Sequence, residues 1–256
     1  TLILDKRAHT STMAGVRHSG AAFHTFRHNR MSHLEKLLQI HPASAVLTES
    51  LFSMDGDSPD FEVLKNLKHR FHFLSIIDEA HAVGVLGPGG RGLSQGVADI
   101  VVGTFGKAFG LFGAFLLLPR LARDYLVNFG QGFIYTTALP PWFGDMAAYM
   151  LSRVALADDR RAHLVALGDL ARASLTEAGF DVAGSAHILG VTIGDEGRGQ
   201  RLADALRDAG ILVFAARYPT VPLGRAILRI CLTSDHTPEH IARLRDALVQ
   251  ANRSIP

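Results

Sequence analysis

A single cysteine, Cys231, stands among the 256 residues, so no disulfide can form within the chain and a reducing compartment, the cytoplasm, is expected. Set inside Ile227-Leu228-Arg229-Ile230-Cys231-Leu232, it reads as a small buried hydrophobe rather than a catalytic thiol. Long apolar runs are also missing: the longest, Leu111 to Leu118, is far shorter than the roughly 20 residues a membrane span requires. Charge of one sign is scarce. The 26 lysines and arginines against 24 aspartates and glutamates leave a net +2, which gives no reason to expect nucleic acid or an anionic membrane as a partner. No basic stretch leads into an apolar core at the start, so no secretory signal is read. Nor is there an initiator methionine. Thr1-Leu2-Ile3-Leu4-Asp5 opens like a buried strand in the middle of a domain, and an upstream segment is expected before it.

What is present is an ordinary globular composition, 48% apolar and 20% charged, at a length that buries a substantial core in one large or two modest domains. Short β-branched or apolar runs at Leu2–Leu4, Ala45–Thr48, Phe73–Ile77 and Ile100–Thr104 alternate with helical patterns at His9–His18, Met31–Leu38 and Phe61–His69. That alternation is the rhythm of βαβ units and a mainly parallel α/β sheet. Phe112–Leu118 reads as one more strand. Leu139-Pro140-Pro141 interrupts the chain, and Trp142–Ala178 then reads as one long or broken helix. Beyond it, strands at Val182–Ile193, Ile211–Ala215 and Ala226–Leu232 and helices at Gln200–Asp208 and Pro238–Asn252 suggest a smaller α+β domain. The expected organisation is a large domain over 1–141, a connecting helix over 142–178 and a C-terminal domain over 179–256.

Two apolar runs end in reactive chemistry. Ile76-Ile77-Asp78-Glu79-Ala80-His81 brings an acid and an imidazole, and Thr104-Phe105-Gly106-Lys107-Ala108-Phe109-Gly110 brings an amine among small and aromatic residues. If the two strands are neighbours, all three groups stand at the carboxyl edge of a sheet, where open α/β folds bind ligands. A buried acid, a nearby imidazole and a lysine beside glycines suit pyridoxal phosphate: the lysine holds it as a Schiff base and the acid keeps its ring nitrogen protonated. Phe105 and Phe109 are expected to wall the amine of Lys107 with apolar surface.

Two rival motifs fail on context. Asp78-Glu79-Ala80-His81 spells a helicase box, but no phosphate loop accompanies it; Val101 stands where the loop's first glycine should be and Ala108 where its hydroxyl should be. Gly87-Pro88-Gly89-Gly90-Arg91-Gly92 resembles a dinucleotide loop in composition only and reads as a flexible surface loop. Other residues carry two readings each. His9 serves either as a helix cap or as a ring that stacks on a planar cofactor. Ser53, before Met54-Asp55-Gly56-Asp57, reads first as a turn residue. Arg229 lies within an apolar strand and needs an anionic partner, either a structural aspartate or a substrate carboxylate. Thr136 and Thr137 offer hydroxyls that cap a helix or hold a phosphate. His24, His28, His33 and His41 lack metal-ligand spacing.

Taken together, these segments resemble the α-oxoamine synthase family of pyridoxal phosphate enzymes, on the fold-type-I transferase scaffold. The resemblance runs in order through His9-Thr10-Ser11, Phe26-Arg27-His28-Asn29, Phe52-Ser53-Met54-Asp55-Gly56-Asp57, Asp78 to Gly84, Gly89-Gly90-Arg91-Gly92, Thr104 to Lys107, Tyr135 to Pro141, Tyr218 to Pro222 and Leu228-Arg229. It implies that Lys107 bears the cofactor and moves the substrate's α-proton, and that Asp78 pairs with the ring nitrogen. His81 and Ser53 would reach the ring oxygen, and His9 would stack on the ring face. Thr104 would contact the phosphate, and Thr136 or Thr137 the cofactor of the neighbouring subunit in a homodimer with shared active sites. Arg229 would grip the amino-acid carboxylate, with Thr220 close to the substrate. The implied partners are an amino acid and an acyl-CoA or acyl-carrier-protein thioester, joined with loss of carboxylate. Thr220 in Pro219-Thr220-Val221-Pro222 and Ile134 to Thr137 lean toward the biotin-pathway member, whereas Val16 to Ala21 and Gly132-Phe133 lean toward the aminolevulinate-forming one; a glycine acetyltransferase and a signal or secondary-metabolite synthase are the family's other open members. A plain aminotransferase and a catalytically silent partner subunit are the readings from other classes. The family's glycine-rich phosphate turn lies upstream of His9 and is absent here. Arg30 replaces a customary aspartate, and Phe112 and Phe115 are bulky for the stretch after the lysine.

Overall fold

The computed structural model describes residues 1–255. They form two compact units, one of Thr1–Phe52 with Ser58–Ala157, the other of Ser53–Asp57 with the described residues from Asp158 onward. Strands β1 (Leu2–Asp5), β2 (Phe23–Phe26), β3 (Ala45–Glu49), β4 (Leu74–Asp78), β5 (Ile100–Thr104) and β6 (Ala114–Leu117) make the sheet of the first unit, in the order β2-β1-β3-β4-β5-β6. Every pairing is parallel except β5 with β6, so the largely parallel α/β sheet expected from the alternating pattern is present.

Connection handedness explains where the helices go. The chain steps from β1 to β2 in one direction and from β2 past β1 to β3, then β4, in the other. Right-handed crossovers therefore send α1 (Thr10–His18) to one face and α2 (Met31–Ile40) and α3 (Phe61–Phe71) to the opposite face. Leu34, Leu38, Leu64 and Leu67 of α2 and α3 pack on Ile3, Val46 and Ile77, while Val16 of α1 packs on Leu4, Ala45 and Leu47. Alternate residues of each strand thus feed two separate cores, which is why β3 is buried at all five positions. The reversal of direction between β1 and β3 is a topological switch point, and it opens a crevice at the carboxyl edge of the sheet.

Two buried carboxylates hold that edge together. Asp5, fully buried, accepts hydrogen bonds from the backbone amides of Arg7 (2.7 Å) and Asn29 (2.9 Å) and meets His28 Nδ1 at 3.0 Å. Glu79, 1% exposed, accepts from Ser50 Oγ at 2.6 Å and from the amides of Leu93 at 2.9 Å and Ser94 at 2.6 Å. A carboxylate so buried persists only when its oxygens are paired. Here the donors come from the turn after β3 and from the loop before β5. The glycine-rich stretch Gly87–Gly92, expected to be a flexible surface loop, is instead tied down: Gly84 N bonds Gly90 O at 2.7 Å, Gly92 N bonds Leu86 O at 2.9 Å, and Gly92 is itself buried against Glu79.

The second unit contains α7 (Asp158–Glu177), an antiparallel sheet ordered β7 (Val182–Ser185), β8 (Ile188–Gly194), β10 (Ala226–Cys231), β9 (Phe214–Ala216), and helices α8 (Glu196–Asp208) and α9 (Pro238–Ser254). It also takes in Ser53–Asp57, which runs against β7 and β8: the amide and hydroxyl of Ser185 both donate to Gly56 O, at 2.8 and 2.7 Å. Of the two forms allowed for Trp142–Ala178, the broken one is present: α6 (Phe143–Ala155) and α7 are separated at Leu156-Ala157. Two readings of the sequence change here. Val182–Ile193 is a hairpin that turns at Ala186, with φ 52°, a bend without a glycine or proline to mark it. Cys231 is exposed, because strand alternation buries Ala226, Leu228 and Ile230 and turns Ile227, Arg229 and Cys231 to the other face. Three elements went unread: β2, a short edge strand, α4 (Arg120–Phe129), which has no buried residue at all, and the short helix α5 (Gln131–Ile134) that follows it.

Gly92 has φ 87°, and a Cβ there would run into the Glu79 carboxylate. Gly92→Ala is therefore expected to lower stability by about 2–4 kcal/mol, combining left-handed strain with a disrupted buried carboxylate. Urea unfolding measures this, and a midpoint unchanged from wild type would show that Glu79 does not pin the loop.

Candidate active site

The carboxyl edge of the first unit's sheet gathers the chemistry that the two apolar runs foretold. β3, β4 and β5 lie side by side, with Glu49 opposite Asp78 and Asp78 opposite Val102. Below this edge, between α1 and the sheet, lies a cavity of about 380 Å³ whose walls include Thr12, Val16, Leu47, Thr48, Ile76 and Asp78. Asp78 is half-buried. Its Oδ1 accepts the Ala80 amide at 2.8 Å, which is a turn bond that fixes the carboxylate plane, and Oδ2 has no hydrogen-bond partner among the described residues. The oxygen is thus available to a donor. Thr48 Oγ1, buried in the cavity wall, also has no partner among the described residues. His81 follows in the turn after β4, half-buried.

Lys107 is exposed on the loop between β5 and β6. Thr104 shapes that loop: its Oγ1 donates to Gly113 O and accepts from Gly106 N, both at 3.1 Å. Further bonds from Phe105 N to Gly113 O (2.9 Å), Leu111 N to Phe105 O (2.8 Å) and Gly110 N to Lys107 O (3.0 Å) close it into a defined turn. Phe105 and Phe109 do not wall off the amine. They pack with Phe115 and Phe143 into an aromatic cluster, with ring centroids 4.9–6.2 Å apart. The bulk of Phe115 is accommodated because its register partner is Gly103, whose missing side chain leaves room for the ring. Gly84, with φ 85°, lets the turn after β4 approach the lysine loop: a Cβ there would stand 2.6 Å from Ala108 Cβ.

His9 caps α1. Its Nδ1 accepts from the Ser11 amide at 3.3 Å and lies 2.8 Å from Ser11 Oγ, and the residue is exposed. A ring nitrogen that accepts from a backbone amide carries no proton, so capping selects the tautomer with hydrogen on Nε2. Capping and an exposed ring face coexist here. Thr136 and Thr137 are exposed in the stretch after α5 and have no hydrogen-bond partner among the described residues.

Sequence reading missed one member of this edge. Glu49 is 4% exposed and ends β3 as Asp78 ends β4. Its carboxyl is pushed up to about 7, from an ordinary 4.5, by burial first and then by the Asp78 charge, with Asp5 adding; the His9 amide and Lys107 pull the other way. The available signal was an acid directly after a wholly apolar run, the same pattern that singled out Asp78.

The remaining candidates belong to the second unit. Arg229 is half-buried on β10, and its Nε donates to the carbonyl of Ser53. No carboxylate pairs with it among the described residues, so the structural aspartate that sequence reading allowed is not there. Beside it, His187 is pushed down to about 4 by burial and by the Arg229 charge. Thr220 is exposed in the loop after β9, its amide bonded to Arg217 O at 2.9 Å.

Residues 1–248 match the family model of aminotransferase class I and II. A putative 8-amino-7-oxononanoate synthase from Bordetella parapertussis is 42% identical over 259 residues, covering 98% of this chain and 65% of the relative. Among solved structures, a serine palmitoyltransferase from S. paucimobilis with PLP and myriocin bound superposes with a TM-score of 0.92 at 29% identity, over 99% of this chain and 66% of that one. The 8-amino-7-oxononanoate synthase of Francisella tularensis superposes at 0.86, also at 29% identity, over 99% and 75%. The chain therefore spans about two thirds of the length of the curated relatives it matches.

Because Gly84 gives the lysine loop its seat, Gly84→Ala should displace Ala108 and loosen its neighbour Lys107. A loss of about 1–3 kcal/mol in urea unfolding is expected, together with faster tryptic cleavage after Lys107. Cleavage at the wild-type rate would show that the loop does not depend on this contact.

Proposed function

The chain belongs to the aminotransferase class I and II family, in its α-oxoamine synthase branch, and from that premise we propose that it is a pyridoxal-phosphate-dependent acyltransferase. It joins an amino acid to an acyl thioester with loss of carbon dioxide, in the manner of 8-amino-7-oxononanoate synthase. The observation that carries the reading is the Asp78 carboxylate at the sheet's carboxyl edge, with one oxygen fixed by Ala80 and the other free to accept. That is what a protonated ring nitrogen requires.

Pyridoxal phosphate, when bound, supplies an electron sink for the pair left at the amino acid's α-carbon. The protein's own groups do the rest. Lys107, on its braced loop, would hold the cofactor covalently, Asp78 Oδ2 would serve its ring nitrogen and His81 its ring oxygen. The His9 ring, steadied by its capping bond, would pack on the cofactor ring, and Thr104 would serve the phosphate. Lys107 Nζ, the amine nearest the substrate's α-carbon in this reading, would take the α-proton and return one at the end, while the thioester would lose its thiol and the amino acid its carboxylate as carbon dioxide. Arg229, a half-buried cation without a carboxylate partner among the described residues, binds the amino acid's carboxylate, with Ser53 and Thr220 in supporting roles.

A second copy of the chain is the proposed partner. α4 buries none of its residues, and Leu121 (83%), Tyr125 (63%) and Phe129 (66%) are exposed on it, with Phe133, Tyr135 and Trp142 exposed beyond. Apolar area of this extent marks an interaction surface, and Thr136 and Thr137 lie in its midst, where they would serve the neighbour's cofactor. No helix among the described residues is long and apolar enough to cross a membrane.

The protein mixed with pyridoxal phosphate should show a visible absorption band that Lys107→Ala abolishes; a band that survives this change refutes the assignment. Alanine, glycine and serine, each offered with short and long acyl-CoAs, should give thiol release with one pairing. Release with glycine instead of alanine would make the chain like an aminolevulinate or glycine acyltransferase, and keto-acid exchange without thiol release would make it an aminotransferase. Arg229→Ala should raise KM for the amino acid by about 10–100-fold, the equivalent of one charge-assisted carboxylate contact, with KM for the thioester little changed.

A further inference from the structure

One buried carboxylate, Asp5, and the imidazole it meets, His28, have no part in the reading above. Asp5 ends β1 and is fully buried. Its Oδ1 accepts the Arg7 amide at 2.7 Å and lies 3.0 Å from His28 Nδ1, and its Oδ2 accepts the Asn29 amide at 2.9 Å. The Ala8 amide also bonds the Asp5 carbonyl, at 3.0 Å, so the turn from Asp5 to Ala8 is closed twice by its first residue. Lys6 and Arg7 are exposed and Ala8 is half-buried, which leaves little side-chain packing to hold this turn. His9 follows at once. Its carbonyl accepts the Thr12 and Met13 amides of α1, and its ring caps that helix. The peptide that bears the ring therefore has a helix on one side and the Asp5 turn on the other.

We propose that Asp5 and His28 are positioning residues for His9: the imidazole holds the carboxylate, the carboxylate holds the turn, and the turn sets where the His9 ring stands at the sheet's carboxyl edge. Both Asp5 oxygens accept amide hydrogens, so the carboxyl group carries no proton and His28 Nδ1 is the donor of their shared bond. A buried carboxylate keeps one orientation only while its donors stay in place. His28 and the Arg7 amide meet on the same oxygen, so losing the imidazole hydrogen loosens the acceptor on which the turn depends. The His28 ring is itself fixed. Only 16% of its side chain is exposed, and it packs edge-on with the buried Phe52, ring centroids 4.4 Å apart. No covalent step is involved. This inference rests on the cofactor reading for what the His9 ring covers, whereas the support of the turn belongs to the protein alone.

Two variants separate the hydrogen bond of His28 from the packing of its ring. His28→Asn keeps an N–H donor where Nδ1 stands and gives up the contact with Phe52. His28→Phe keeps an aromatic ring there and has no donor. Proton–nitrogen imidazole NMR spectra, with signals assigned by their loss in His9→Asn and His28→Asn, read both histidines in the unloaded protein. In wild type at about pH 8, where an ordinary imidazole is neutral, His28 should carry its hydrogen on Nδ1. His28→Phe should shift the His9 signals, and His28→Asn should leave them near their wild-type positions. Titration with pyridoxal phosphate follows: His28→Phe should bind about tenfold more weakly, the loss of one hydrogen-bonded support, and His28→Asn close to wild type. Urea midpoints are expected to fall in both variants, so a loss of stability alone does not produce this split.

Unshifted His9 signals with wild-type cofactor affinity in His28→Phe would overturn the proposal, as would equal losses of affinity in the two variants. So would a wild-type His28 with its hydrogen on Nε2 alone. If His28→Phe does not fold, His28→Ala takes its place, and unchanged His9 signals and affinity there count against the proposal in the same way. A wild-type protein that takes up no pyridoxal phosphate would overturn the cofactor reading and the place of Asp5 and His28 in it, whereas the His9 signals would still decide whether the pair holds the turn.

Discussion

Two acidic side chains at the ends of adjacent parallel strands repel each other, and most sheets avoid such a pairing. Here the register of β3 with β4 enforces it: Ala45 opposite Leu74 and Leu47 opposite Ile76 leave Glu49 no position except opposite Asp78. The register is set by cores on both faces, since a slip of one residue would expose Val46 and bury its neighbours on the wrong side. The site inherits its electrostatics from hydrophobic packing. Lys107 supplies the compensating positive charge from a loop with its own support, the aromatic cluster beneath it and Gly84 beside it.

Buried carboxylates divide the labour along this edge. Asp5 and Glu79 are saturated with backbone and side-chain donors and act as staples for the loops on either side. Asp78 is half satisfied, and Glu49 is buried and crowded by charge. Satisfied acids hold structure and unsatisfied ones are left for chemistry. The contrast within Asp78-Glu79 shows how strand alternation assigns the two fates: adjacent residues point to opposite sides, one toward the cavity and one into the loop packing.

Much of this was legible in the residue order. The strand at Ile100–Thr104 and the helix start near His9 follow from apolar period and capping chemistry, and the ends of the strands indicated Asp78 and Lys107. Glu49 was not recognised because the run Ala45–Thr48 already looked complete one residue earlier. The destination of Phe105 and Phe109 was illegible for a different reason. Which way a loop's aromatic rings turn depends on distant partners, here Phe115 and Phe143, and no local pattern encodes them. The hairpin at Ala186 was missed because its turn residue is an alanine in a conformation that usually calls for glycine. The exposure of Cys231 was readable from alternation along its strand, had Arg229 two residues before it been taken as the guide to the face.

The five residues Ser53–Asp57 have a consequence of another kind. They sit in sequence between β3 and α3 of the first unit yet pack with the second, bonded to Ser185 and Arg229. The backbone therefore crosses from one unit to the other three times, after Phe52, after Asp57 and after Ala157. No single cut can release either unit whole. A gene truncated to begin at Asp158 would encode a sheet without the strip that shields β7, and would leave the Arg229 guanidinium without its carbonyl. A library of fragments or a fusion junction placed at that boundary would separate residues that fold together.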